Sequence, residues 1–159
     1  MVQPRHQKLR RLHEYWLAKK ADRVAPPRRD IEPAEMRDLL PIIFLVDVEG
    51  RPTKFRFRLV GTDIVQHFGM DLTGRYVDDI DFSDRAPSVL AYYATVVMTR
   101  EPSCHAVQFT RGSGRHLNYE RVILPLSSDG VAVDMLLGGI CFDEAYETRW
   151  PSTARQVGD

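Results

Sequence analysis

Five histidines, two cysteines and a cluster of aspartates are the side chains in this 159-residue sequence whose chemistry could support catalysis or metal binding. Cys104 and His105 are neighbours and have the make-up of a thiol–base pair. They fall in a segment that reads as a β-strand, where successive side chains point to opposite faces, so they cannot share a hydrogen bond as a dyad. A plain core or interface cysteine is the expectation. His105 and His116 belong to one hairpin. Centring its turn on Ser113 sets position 110 beside 116 and position 105 beside 121, which separates the two imidazoles and argues against a shared metal. Asp78, Asp79, Asp81 and Asp84 are dense enough for a cation loop but lack the alternating ligands and terminal Glu of a calcium hand; capping and solvation account for them. Cys104 and Cys141 allow one bridge at most and no four-ligand zinc site, so no metal is expected, and a reducing, cytoplasmic setting is the simplest reading.

The elements that must position these residues follow from the apolar pattern. Length fits one domain with extensions, and 22 Lys+Arg against 22 Asp+Glu argues against a general nucleic-acid footprint or a charged substrate funnel. The basic N-terminus has no apolar run behind it, so it is not a signal peptide, and "LLPIIFLV", broken by Pro41, is too short to span a bilayer. Leu9, Leu12 and Trp16 make one stripe of an amphipathic helix over 6–22. "VAPPRRDIEP" is then an extended linker. A short helix over 33–40 ends at Pro41, and "IIFLVDVE" and "KFRFRLVG" are antiparallel strands joined by "EGRP". In the second strand Phe55, Phe57 and Leu59 alternate with Lys54, Arg56 and Arg58, which form a solvated face. Thr62 is placed to cap a helix bearing Ile64, Val65 and Phe68, with Gly69 ending it in the left-handed conformation. Asp71 and Gly74 mark a turn. A helix over 84–99, capped by Asp84, carries Leu90, Tyr93, Ala94 and Val97. Three strands follow near 103–111, 116–126 and 131–142; "RGSGR" turns the first pair and Asp129-Gly130 signals a two-residue hairpin. The tail from 144 is polar and expected to fray. Strands at both ends with helices between them mean an α+β sheet covered on one face.

This order, with the pieces "LLPIIFLVDV", "FRFRLVGTDI", "FGMDLTGRYVDDI", "PSVLAYYATVVMTREP" and "NYERVILPLSSDG", resembles the PAS domain over roughly residues 8–143. More narrowly it resembles the alphaproteobacterial PAS-like family first catalogued as a domain of unknown function. The resemblance implies a five-stranded antiparallel sheet in the order 2-1-5-4-3 with helices crossing one face. It divides the chain into an N-terminal helix and linker (1–29), a PAS-like domain (30–143) and a polar tail (144–159). It also implies that short apolar segments such as 58–80 wall a cavity between helices and sheet. Candidate lining residues are Phe57, Ile64, Phe68, Tyr76, Tyr93 and Tyr119; Tyr93, Tyr119 and Phe109 equally read as simple core.

PAS domains that bind haem take its proximal ligand from the long helix, and 84–99 has no histidine; His67 lies on the preceding short helix. "GRYVDDIDF" lacks the cysteine that flavin-binding light sensors of this fold carry there. Neither haem nor covalent flavin is therefore expected, and no cofactor is assigned. The leading function is a stand-alone sensory or signalling module that binds a small apolar molecule or a protein partner and acts in trans. A constitutive interaction adaptor with a plugged core is the alternative, and a small isomerase-like enzyme, with Asp63, Asp78 or His67 as acid or base, is a third. The stripe of Leu9, Leu12 and Trp16 must bury itself somewhere. A homodimer contact is expected, and docking on the protein's own sheet is the competing outcome.

Overall fold

The pleat of one antiparallel sheet sorts its side chains into two apolar faces, and the helices divide between them. In the computed structural model, which describes residues 2–80, 86–110 and 116–143, the strands are β1 (Ile43–Glu49), β2 (Lys54–Val60), β3 (Ser103–Thr110), β4 (His116–Leu126) and β5 (Met135–Phe142). Their order is β2-β1-β5-β4-β3, the order implied by the resemblance. The helices are α1 (Gln7–Lys20), α2 (Thr62–Phe68) and α3 (Ala86–Thr99), with 3-10 segments at Arg28–Asp30, Pro33–Ile42 and Val77–Asp79. The β3–β4 register pairs Thr110 with His116 and His105 with Arg121, as the turn centred on Ser113 requires.

On the inner face, Phe44 and Val46 of β1, Phe55 and Phe57 of β2, Tyr119 and Ile123 of β4 and Leu136 and Ile140 of β5 pack against α2, α3 and the Val77–Asp79 segment. The opposite residues of the same strands, Leu45, Val122, Leu124, Leu137 and Cys141, form a second core with α1 and the Pro33–Ile42 segment. The sheet is thus covered on both faces, not one. Leu9, Leu12 and Trp16 lie at the centre of this second core, 0%, 0% and 1% exposed. The Trp16 indole N–H donates to the Pro125 carbonyl at 2.8 Å. These three residues, expected at a homodimer contact, are covered by the sheet within a single chain, and a contact made by them would need α1 to leave its bed. The helix shares a core with the sheet instead of standing apart from it.

Two consecutive glycines in β5 explain how both layers sit so close. A Cβ on Gly138 would fall 2.0 Å from the Phe44 ring on the inner face, and one on Gly139 would fall 2.7 Å from Leu12 and 2.9 Å from Leu9 on the outer face. The approach of α1 is fixed at its start by Glu120 of β4. Its buried carboxylate accepts the backbone N–H of Arg5 at 2.8 Å and of His6 at 2.9 Å, an anion placed where the helix begins.

Several local expectations change for identifiable reasons. Leu59 is exposed, because a bulge between Leu45 and Val46 inserts Arg58 and breaks the alternation. Gly61, not Thr62, is the N-cap of α2; the backbone there presses so close to Pro41 that a Cβ would lie 2.3 Å from its carbonyl oxygen. Gly69 does end α2 at φ 78°. The Pro33–Ile42 segment is 3-10 helix kinked at Met36, and it runs past Pro41. Asp129-Gly130 sits within a longer loop between Leu126 and Met135 instead of a two-residue hairpin, because Asp129 gathers the N–H groups of Val131 and Ala132 and the Ser127 hydroxyl. The buried stripe of α3 runs through Val89, Tyr93 and Val96, with Leu90, Ala94 and Val97 flanking it. The Asp84 cap, the "RGSGR" turn and the tail from 144 lie outside the described residues.

Candidate functional site

Between α2, α3 and the inner face lies a cavity of about 30 Å³. Phe57 comes to it from β2, Ile64 and Phe68 from α2, Tyr93 from α3 and Tyr119 from β4, with Phe44 and Ile140 closing the floor. Five of the six residues proposed as lining thus converge. Tyr76 does not: it pairs as an isolated bridge with Arg56, and its hydroxyl donates to Glu49 at 2.9 Å beyond the edge of the cavity. The walls are held by edge-on aromatic contacts, Phe44 with Phe57 at 6.1 Å and Phe68 with Tyr119 at 5.8 Å between ring centroids.

Phe44, Val60, Leu72, Val89, Ile140 and Arg121 also line the cavity without having been singled out in the sequence, and of these Arg121 alone is charged. Arg121 is 3% exposed and borders the cavity. Its guanidinium carbon stands 5.4 Å from the Tyr92 ring and 5.8 Å from the Tyr93 ring, and its Nε has no hydrogen-bond partner. The signal was present in β4, where Leu117, Tyr119, Arg121 and Ile123 share one phase, so a cation sits where an apolar side chain is expected. Its charge reaches its neighbours. Burial, then Arg121, lowers the imidazole of His105 to about 4, and burial raises the Tyr93 hydroxyl to about 12 against the pull of Arg121.

The residues considered for other chemistry lie elsewhere. The His67 Nδ1–H donates to the Asp63 carbonyl at 2.7 Å, and its ring stacks on Phe142 at 3.9 Å. Asp63 is half-buried and Asp78 exposed, and both, with His67, are absent from the cavity lining. Cys104 and Cys141 point to the outer face, away from the cavity, and burial raises both thiols to about 11. The β2 arginines are tied down: Arg58 pairs with Asp47 at 2.9 Å and Arg56 with Glu49 at 2.9 Å. Among the described residues no cluster of His, Cys, Asp or Glu could hold a metal ion, and no helix is long and apolar enough to cross a membrane.

A family model described as PAS domain matches residues 4–141, which includes α1. Among solved structures, the chain is similar to the PAS domain of Bordetella pertussis BvgS, with 20% identity, TM-score 0.52 and coverage of 78% of this chain and 96% of that one. It is also similar to the Rhodobacter sphaeroides LOV protein, with 11% identity, TM-score 0.52 and coverage of 72% and 69%. A light-oxygen-voltage domain described with a flavin analogue matches at 14% identity and TM-score 0.53, with coverage of 77% and 95%. The search of curated proteins returned no match.

Proposed function

We infer the function from the premise that this chain belongs to the PAS domain family: it is a sensory or signalling module, and we propose that it reads a small molecule held between α2, α3 and the sheet and passes that state to a partner protein by contact. The observation that supports this is the convergence of side chains from β2, α2, α3 and β4 on one cavity that also contains a buried, incompletely hydrogen-bonded cation. Mass spectrometry of small molecules released from freshly purified chain tests it. A single compound at near-stoichiometric amount, lost when the cavity is filled by substitution, is the expected result; protein that carries nothing and binds nothing from a cell extract would refute ligand sensing.

Similarity to light-oxygen-voltage domains raises flavin, and the residues as they stand do not fit it. A 30 Å³ space has room for one or two waters, not for a three-ring heterocycle, and both thiols face the other side of the sheet. Freshly purified protein should show no absorption band beyond the aromatic region.

The same small volume favours a second reading, an adaptor whose core is filled by its own side chains. Ile64→Phe separates the two. In a filled core it overpacks and lowers stability by about 1–3 kcal/mol, whereas a cavity able to open takes the larger ring with little loss.

A further inference from the structure

Resting on the cavity as a ligand site, we propose that its ligand is a monocarboxylate no larger than acetate, held by a side-on fork from Arg121 Nε and an adjacent Nη. An arginine this deeply buried is ordinarily paired, because an uncompensated charge in the interior is strongly destabilising. Here no carboxylate among the described residues pairs with Arg121, and its only charge-directed contacts are the faces of Tyr92 and Tyr93. Ring faces attract the cation but leave the in-plane N–H groups unmet, and Nε lacks an acceptor. The group that answers both deficits is a planar anion with two oxygens at the spacing of the fork. A water could accept from Nε but would leave the charge unbalanced.

Size sets the rest of the ligand. The 30 Å³ space holds a carboxylate head with at most a methyl group beyond it, and apolar side chains such as Phe57, Ile64 and Phe68 line the rest, so neither a longer alkyl body nor a second charge is accommodated. A phosphate, with its greater charge and more oxygens, would need further cationic donors, and among the described residues the cavity lining contains no Lys and no second Arg. His105 adds no charge, because burial and Arg121 hold its imidazole neutral.

The experiment is a titration of the full chain with sodium formate and sodium acetate at constant ionic strength, following the Arg121 Nε–H resonance and the melting temperature. Sodium chloride, sodium phosphate and ethanol serve as controls. Saturable shifts with a Kd of roughly 0.1–10 mM are expected for the carboxylates alone, since so few atoms contact the protein. Arg121→Met should abolish the response while keeping or raising the unliganded melting temperature. Arg121→Lys, which keeps the charge without the fork, should lose the preference for carboxylate over chloride. An equal response to chloride, or no saturable response to either acid in the unaltered chain, overturns the proposal, and that titration decides even if Arg121→Met does not fold. Binding of ethanol with indifference to acetate would sink the carboxylate while leaving a ligand cavity. Acid binding that no partner contact registers would keep the site and sink the sensory reading.

Discussion

Gly138 and Gly139 are adjacent in sequence yet serve different cores, and substitution at each should separate them. At Gly138 an added methyl meets the Phe44 ring, which is itself packed against Phe57 and Tyr93; at Gly139 it meets the flexible ends of Leu9 and Leu12. Gly138→Ala should therefore lower stability by about 1–3 kcal/mol and Gly139→Ala by clearly less, read from denaturant midpoints. His105 gives a pH dependence. Its lowered pKa means that the unfolded chain takes up a proton, near 6.5, that the folded chain refuses until about 4. Stability is full above the unfolded value and is lost as pH falls through that window. His105→Gln should flatten the decline in melting temperature between about pH 6.5 and 4; an unchanged slope would show that other groups control it. At this scale the sequence was legible chiefly through the resemblance. It set the segments of Phe57, Tyr93 and Tyr119 around a cavity that these residues line, whereas Tyr76, proposed on the same ground, bonds instead to Glu49. Arg121 was hidden because an arginine in a strand is normally assigned to solvent, and only its phase with Tyr119 and Ile123 contradicts that.

Among the elements, α1 shows what a pattern can and cannot decide. Leu9, Leu12 and Trp16 specify a helix with an apolar stripe, and burial of each contributes about 1.5–3 kcal/mol wherever it occurs. Nothing in that spacing says which surface receives it. The surface is determined by Gly139, which lets the helix approach, and by Glu120, which takes two backbone N–H groups at its start, and both lie more than a hundred residues away in the chain. Glu120→Gln would turn an amide N–H₂ toward at least one of those donors and is expected to loosen the start of α1, at a loss of about 1–3 kcal/mol. The measurement is Trp16 fluorescence: a red shift at temperatures where circular dichroism still reports the sheet would show the helix lifting, and simultaneous loss of both signals would show a single cooperative unit. The α2 boundary and the 127–134 loop misled for a similar reason, since Thr62 and Asp129-Gly130 carry strong local preferences that Pro41 and the side-chain bonds of Asp129 override.

For the molecule as a whole, self-association must use what the folded chain still offers. The stripe of α1 is covered, but Leu17 on its outward side is 45% exposed and borders a groove that runs beside β3, an edge strand of the sheet. If copies pair through α1 while folded, light scattering at tens of micromolar should give a dimer that Leu17→Glu dissociates with circular dichroism unchanged. A monomer in both cases would remove α1 from any interface. The overall strand order and the cavity were legible through the resemblance to the PAS domain, which the order of elements along the whole chain carries. The covering of the second face was not, because it depends on which surface a helix finds.

The two bare positions in β5 have one more effect. At Gly138-Gly139 the partition between the cavity side and the helix side is a single backbone thick, with the Phe44 ring resting on one side and Leu9 and Leu12 on the other. Phe44 is also part of the cavity floor. A tilt of the Phe44 ring that displaced this backbone would meet Leu9 and Leu12 with no side chain of β5 in between. Trp16, on the same stripe of α1, makes the displacement measurable: a change in its fluorescence when acetate is titrated in is the expected sign, and a constant spectrum at saturation would show that the two compartments are independent.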